Sequence, residues 1–334
     1  MRKSFVTAVL SLIAFCANAQ IRLVDAGDGT PVPAASVFVE GGKCAGVSGE
    51  DGSLPLPADY KGRVAVHHIN YVGKEFVVDT VAGSTVRLTP YTYTIPEVTA
   101  RYERPDYMVI SAYVRNYIIV DSVPSSFRHG SFDFYVPMRK VRFLQILRAD
   151  GVTEDDVLGN YCSQDWAKLK KHTLLDRFRN KGFLNDSSLS GIVDRGWKGV
   201  VWGMRNDTVA KTLTVYADSA FMEGNGFNVN LFGLKMRFNG MKFGETYDVS
   251  AGMPTLANLL CKYDYLDLSL KLPGKKNKFR RGEEFGEFFV TGIRYATKDE
   301  MKAAIKDKTP EPATVPQGVP PLGTPLADAV NKMK

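Results

Sequence analysis

Residues 21–42 read IRLVDAGDGTPVPAASVFVEGG, and this stretch decides the fold class of the first part of the chain. Apolar residues such as Leu23 and Val37 stand in short runs, and turn-forming pairs such as Asp28-Gly29 and Gly41-Gly42 separate the runs. Short runs of this kind between tight turns are typical of β-strands. The pattern continues to Ala100, and roughly seven strand-sized segments without a helical period predict a small β-sandwich. The predicted strands include 23–24, 36–40, 64–71, 76–79 and 86–88.

The first nineteen residues have the pattern of a secretory signal peptide. Arg2 and Lys3 precede an apolar run, and Ala17-Asn18-Ala19 supplies a cleavage site before Gln20. Without the leader the formal net charge falls from +7 to +5, because Arg2 and Lys3 are its only charged residues. No later apolar run reaches the roughly 18 residues that a spanning helix needs. We therefore expect an exported protein, periplasmic or associated with the outer membrane, in which no segment of the mature chain crosses the bilayer.

Several short motifs between residues 28 and 100 occur in a fixed order. They are DGTPVPAASV (28–37), GVSGEDGSL (46–54), INYVG (69–73), VRLTP (86–90) and PEVTA (96–100). Their order and spacing resemble the carboxypeptidase-like regulatory domain family. The resemblance implies a seven-stranded transthyretin-like sandwich over 20–100. It also implies the setting in which this module occurs, at the N-termini of TonB-dependent receptors and of exported envelope proteins of Bacteroidetes-type bacteria, where the module itself carries no catalysis.

Residues 101–308 predict a second domain of α+β type. Apolar residues three and four apart favour a helix over 106–119, and a second helix is expected from Ser163 through Lys181, where Gly182 would end it. Alternation predicts strands over 131–136, 213–217, 227–231, 266–272 and 285–295. One-sided alternation of this kind is typical of an antiparallel sheet, and the last strand is expected to pair with 264–272.

The predicted second domain ends in short helices and a proline-rich tail. Pro254 is placed to open a short helix, and Thr297 with Glu300 forms a capping box for a helix through Lys308. Residues 309–334 follow, and the six prolines between Pro310 and Pro325 predict an extended, disordered tail.

The sequence offers no recognisable catalytic or cofactor-binding motif. No histidine begins H-E-x-x-H, and no P-loop, nucleophile elbow or strand-bound G-x-G-x-x-G is present. Adjacent His67 and His68 on a strand point to opposite faces, so they cannot share a metal, and one packed and one surface imidazole are expected. Of the three cysteines after the leader, only Cys162 and Cys261 lie in one predicted domain, which leaves a disulfide between them open. We predict no catalytic residue, metal site or cofactor.

The most distinctive charged segment is KLPGKKNKFRR at 271–281. If its flanking strands pair, the segment is a hairpin tip that carries a cluster of cations. These cations are the candidate contacts to an anionic surface: Lys271, Lys275, Lys276, Lys278, Arg280 and Arg281. Cations near anionic lipid or lipopolysaccharide attract its head groups, whereas a solvated loop balanced by Glu283, Glu284 and Glu287 is the alternative.

Three functions remain open at this level. The first is a non-enzymatic envelope protein that binds or scaffolds a protein or glycan partner. The second is a glycan or peptide hydrolase housed in 105–308, and the third is lipid or lipopolysaccharide contact through the cationic hairpin. Export makes nucleic acid an unlikely partner class, and about 235 residues after Ala100 are too few for the barrel of a TonB-dependent receptor.

Overall fold

The computed structural model describes residues 21–57, 59–79, 84–93, 105–138, 145–148, 174–186, 190–195, 200–220, 228–231, 234–271, 278–306 and 314–333. Across these residues the protein is mainly β, and its larger sheets are antiparallel, as the sequence predicts. The chain forms two compact units. The first comprises residues up to Thr92 with Ser122–Pro124 and Pro320–Lys334, and the second comprises Tyr93–Asp121 and Ser125–Val319. The predicted boundary near Ala100 lies outside the described residues.

The described strands of the first unit form two sheets around one core. They are β1 (Arg22–Asp25), β2 (Ser36–Val39), β3 (Lys43–Val47), β4 (Gly62–His68), β5 (Tyr71–Val78) and β6 (Thr85–Leu88). β1 and β6 pair in parallel, and the other four follow the order β3-β2-β4-β5. Leu23, Val37, Val66 and Leu88 pack together in the core, so both sheets contribute to it. The alternation in the sequence therefore places these strands well, although it misses β3 and the turn at Ile69-Asn70 that separates β4 from β5.

The described strands of the second unit form one large sheet. They are β7 (Tyr107–Val120), β8 (Val123–Pro137), β9 (Gln145–Arg148), β10 (Gly191–Arg195), β11 (Val201–Asp207), β12 (Thr212–Ala220), β13 (Asn228–Leu231), β14 (Leu234–Asp248), β15 (Leu259–Lys271) and β16 (Arg280–Ala296). Their order is β10-β11-β12-β14-β15-β16-β7-β8-β9, and β13 also pairs with β14. The Asp121-Ser122 turn joins β7 to β8 with positive φ at both residues, as a two-residue hairpin turn requires.

One face of the large sheet carries the core of the second unit, and we call it the apolar face. Ile110, Val114, Val215 and Phe288 lie there, and helix α1 (Leu174–Asn180) packs its Phe178 against the same cluster. α1 ends before Gly182, whose φ of 77° is the left-handed conformation expected of a helix stop. The part of the predicted helix before Leu174 lies outside the described residues.

The helix predicted over 106–119 is wrong, because this segment is strand β7. Val109 and Tyr113 are buried on one face of the strand, and Ile110 and Val114 are buried on the other. A strand that is buried on both faces carries nearly continuous apolar residues, and some of them then fall three and four apart by chance. The short helix predicted from Pro254 is likewise confined to a single turn at Leu256–Asn258, and β15 begins at Leu259.

Of the two predictions for the C-terminal region, one is confirmed and one is wrong in part. The capping box that opens α2 (Lys298–Lys306) is confirmed, because Glu300 accepts a hydrogen bond from the backbone N–H of Thr297 at 2.8 Å. The disordered tail predicted over 309–334 is wrong for α3 (Thr324–Met333), which packs against β2 and the turn at Glu40–Gly42. Leu326 and Val330 are buried one helical turn apart, and this burial supplies the free energy that a solvated tail lacks.

Candidate functional site

The strands that flank the cationic segment pair as a hairpin. Residues 261–270 of β15 lie opposite 280–289 of β16. The pairing of the flanking strands, on which the predicted hairpin depends, is therefore present. Lys271 is half-buried at the end of β15, and Lys278 is exposed. Lys275 and Lys276 lie outside the described residues. Whether these cations contact an anionic surface stays a prediction.

The two arginines of the segment form ion pairs, Arg280 with Asp121 of the β7–β8 turn and Arg281 with acids of the sheet. The Arg280 Nε donates to Asp121 at 2.8 Å, and hydrogen bonding from Arg280 lowers the pKa of that exposed carboxyl group. Arg281 donates to Asp267 at 2.8 Å and to Glu283 at 3.2 Å. Of the six candidate cations, these two are paired with acids, and the pair of Arg281 with Glu283 agrees with the alternative of a segment balanced by neighbouring glutamates.

Two further cations lie beside the hairpin on the neighbouring strand β14. Lys235 stands opposite Lys271, and the Arg237 guanidinium lies 4.1 Å from the centre of the Phe279 ring. Both residues are exposed. The sequence analysis missed them because only the pairing of β14 with β15 brings them to this end of the sheet. We call this end, formed by 234–238, 268–271 and 278–282, the cationic tip.

An apolar patch lies on the apolar face at and next to the cationic tip. The register of four adjacent strands places eight large apolar side chains on this face, and all eight are only half-buried. We define the apolar patch by these residues: Ile118, Val120, Met236, Phe238, Met241, Leu266, Leu268 and Leu270. The alternation of 266–272 predicts leucines in the core, so their partial exposure is a departure from the expectation.

The opposite face of the same strands carries a buried polar cluster, and we call it the polar face. Tyr265 donates to Glu283 at 2.8 Å, and Asn239 donates to Asp267 at 2.8 Å. Burial raises the pKa of Glu283, although Arg281 and Tyr265 act in the opposite direction. Tyr265 and Asp267 are buried on the polar face, whereas Leu266 between them points to the apolar face and is half-buried, since alternate residues of a strand face opposite sides.

Two histidines and two cysteines of the described residues are buried: His67, His68, Cys44 and Cys261. His67 and His68 are both buried, so the expectation of one surface imidazole is wrong, and His68 accepts a hydrogen bond from the Asn70 N–H at 3.1 Å. Neither Cys44 nor Cys261 is in a disulfide, so Cys261 does not form the bond that the sequence left open with Cys162, a residue outside the described ranges. Over the part of the chain that the structure describes, no group of three His, Cys, Asp or Glu side chains has the geometry to hold a metal ion.

The described helices include none that is both long enough and apolar enough to cross a membrane.

The chain has a structural similarity to report among known proteins and no match to a protein family. No family model matches the chain, and no curated protein matches it. Among solved structures, the chain is similar to one titled lipid-protein interactions in lipovitellin, with a TM-score of 0.32 and 7% sequence identity. The match covers 64% of this chain and 27% of that one, so the chain spans about a quarter of the length of its structural match.

Proposed function

We propose that this protein is a non-enzymatic component of the cell envelope that binds anionic lipid surfaces through the cationic tip and the adjoining apolar patch. In this proposal the protein is exported, and its N-terminal unit is a transthyretin-like sandwich that serves as a structural module. The observation that carries the proposal is the juxtaposition, at one end of one sheet, of exposed cations and half-buried apolar side chains.

The electrostatic part of the proposal rests on charge excess. Lys235, Arg237 and Lys278 are exposed at the tip in addition to the two arginines that acids of the sheet and of the β7–β8 turn neutralise. Lys275 and Lys276 add two charges in the sequence between β15 and β16. Each cation close to an anionic bilayer contributes about 1 kcal/mol to binding.

The apolar part of the proposal explains why the patch is not fully buried. Apolar side chains that stay partly exposed at one end of a sheet are a common feature of interaction sites, although Glu284 lies between Ile118 and Leu266 in the same row. Leu268 and Leu270 lie at the same strand end as Lys271 but face the opposite side of the sheet. In the proposal the bilayer therefore meets this end of the sheet edge-on, where it contacts the cations on one side and the apolar side chains on the other. An anionic lipid surface satisfies both groups, whereas a purely polar partner would satisfy only the cations.

The test is sedimentation of the protein with lipid vesicles. The protein should bind vesicles that contain phosphatidylglycerol and should bind phosphatidylcholine vesicles much more weakly. Replacing Lys275, Lys276 and Lys278 by Gln should weaken binding to the anionic vesicles by about 100-fold, since three cations contribute about 3 kcal/mol.

A matched control removes the same charge elsewhere. Lys61, Lys298 and Lys302 are exposed, and their joint replacement by Gln should leave vesicle binding nearly unchanged. A second variant, Leu268→Ser with Leu270→Ser, should weaken the binding that survives at high salt, where screening removes the electrostatic contribution. Equal losses in the tip and control variants would contradict the proposal, because they would indicate an effect of net charge alone.

A further inference from the structure

On the polar face of the cationic tip, two like charges lie directly opposite each other. Lys235 of β14 pairs in register with Lys271 of β15, and Arg237, two residues along β14, lies opposite Ser269. Side chains two residues apart on a strand share a face, so all four project from the same side of the sheet. Like charges in directly opposite positions destabilise a sheet. An anion bound between them would offset that cost, so this register favours an anionic ligand.

The positive charge at this position is in excess, and solvent reaches it. The nearest acids on the same face, Asp267 and Glu283, already pair with Arg281 at 2.8 Å and 3.2 Å. Within the described part of the chain, neither Lys235 nor Arg237 forms an ion pair with an acid. Both side chains are exposed, so an anion outside the protein can contact them directly.

The guanidinium group of Arg237 is held in a defined orientation. It lies 4.1 Å from the centre of the Phe279 ring, which is a cation–π contact. The ring covers one face of the planar group, and the N–H groups at its edge point away from the ring. Two parallel N–H groups of a guanidinium match two oxygens of a phosphate group, so an oriented arginine favours phosphate over a simple halide.

Ser269 adds a neutral donor to the same cluster. It lies between Arg237 on β14 and Arg281 on β16. Its Oγ accepts a hydrogen bond from the Asn239 side chain at 3.0 Å, so its own hydroxyl hydrogen can be donated to another acceptor. Two ammonium groups, an oriented guanidinium and a hydroxyl together form a set of donors for a group with several charged oxygens.

We propose that Lys235, Arg237, Ser269 and Lys271 form a binding site for the phosphomonoester group of a lipid head group. The inference rests on the proposed function, because it assigns a head-group class to the anionic surface that the cationic tip binds. A phosphomonoester has three terminal oxygens and carries about two negative charges above about pH 6, whereas the phosphodiester of phosphatidylglycerol carries a single charge. The monoester therefore accepts hydrogen bonds from more of these donors at once.

The test compares sedimentation with two kinds of vesicle of equal surface potential. One kind contains phosphatidic acid, which is a phosphomonoester, and the other contains phosphatidylglycerol. At about pH 7.5 the protein should bind the phosphatidic acid vesicles about 10-fold more tightly. This preference should shrink at about pH 5, where the monoester loses its second charge.

Two variants of the exposed residues separate the site from net charge. Arg237→Lys keeps the charge but removes the planar pair of N–H groups, and it should lower the preference for phosphatidic acid about 3-fold. Lys235→Gln combined with Arg237→Gln should abolish the preference. The matched control, Lys275→Gln combined with Lys278→Gln, removes the same charge between β15 and β16, and it should weaken binding to both kinds of vesicle alike.

The outcomes distinguish this inference from the proposed function. Equal binding to both kinds of vesicle, or a preference that Arg237→Lys retains in full, would overturn the phosphomonoester site alone. Failure to bind either kind of vesicle would overturn the proposed function as well. Calorimetric titration with glycerol 3-phosphate, the same ester without acyl chains, tests for a soluble ligand. Tighter binding to it than to the phosphatidic acid vesicles would overturn the assignment to a lipid.

Discussion

At the scale of single residues, the glycines of the large sheet determine where its aromatic rings lie. Gly244 stands directly opposite Tyr263, and the missing side chain leaves room for the ring against the backbone. Gly203 does the same for Tyr216. A glycine in the interior of a strand weakens the strand on propensity grounds, so its presence here reflects the close approach of a ring.

We therefore expect Gly244→Ala to destabilise the second unit by about 1–3 kcal/mol, because the new methyl group would overlap the Tyr263 ring. Urea unfolding measures this loss. The matched control is Gly292→Ala on β16, where the nearest atom to an added Cβ would be the Ser111 Cβ at 3.7 Å, an ordinary contact. Losing more stability in Gly292→Ala than in Gly244→Ala would refute the explanation.

A second residue-scale feature is the set of charges inside the sheet. Arg115 and Glu287 pair directly on the polar face with almost no exposure, and the Arg115 guanidinium also lies 4.9 Å from the centre of the Phe289 ring. In the sequence, Glu287 reads as one of several acids that balance a solvated loop. The register of β16 with β7 places it opposite Arg115 instead, and that register joins residues that are 172 positions apart.

At the scale of elements, one buried carboxyl group connects helix α1 to the sheet. Glu245 on β14 accepts hydrogen bonds from the Leu175 N–H at 3.4 Å and from the Tyr247 hydroxyl at 2.7 Å. Burial raises the pKa of Glu245 above its ordinary value of 4.5, while these hydrogen bonds and the charge of Lys262 act in the opposite direction.

This raised pKa predicts a pH-dependent stability. Because the folded state holds the proton of Glu245 more tightly than the unfolded state does, the stabilisation is complete below about pH 4.5 and is lost as the pH rises through the folded pKa. Glu245→Gln cannot ionise, so the stability of the unmodified protein relative to this variant should fall as the pH rises from about 4.5 through the folded pKa. Urea unfolding across this range tests it, with Asp299→Asn as the exposed control. A stability difference independent of pH would show that the carboxyl group does not titrate in this way.

Helix α3 was not predicted from the sequence, because the proline-rich composition around it is typical of a disordered tail. Leu326 and Val330 are buried in this helix, and α3 packs against β2 within the first unit. Leu326→Ala should destabilise this packing by about 2–4 kcal/mol, because it removes buried methyl groups and leaves a cavity. Faster hydrogen exchange of the β2 amides would report the loss. Asp328→Ala changes an exposed residue of the same helix and should leave exchange unaffected; equal effects of the two variants would mean that α3 does not protect β2.

At the scale of the whole molecule, each unit is built around its own core. Each unit also combines segments that are distant from one another in the sequence. Residues 320–334 belong to the first unit, although the sequence analysis assigned them to a tail after the second domain. In the second unit, Tyr107 of β7 pairs with Ala296 of β16. Such pairings carry no local signal, because many strands of similar composition are equally compatible with each neighbour.

The sequence by itself determined the mainly β class, the hairpin around residues 271–281, the capping box at Thr297 and the stop at Gly182. These features depend on alternation, turn residues and caps, which act over a few neighbouring positions. Only the tertiary structure decided which side of each strand is covered. It half-exposes Leu266, Leu268 and Leu270 and buries Asp267, which lies between Leu266 and Leu268. Alternation defines two faces of a strand, but the strands and helices that pack on them determine which face becomes core and which remains available to a ligand.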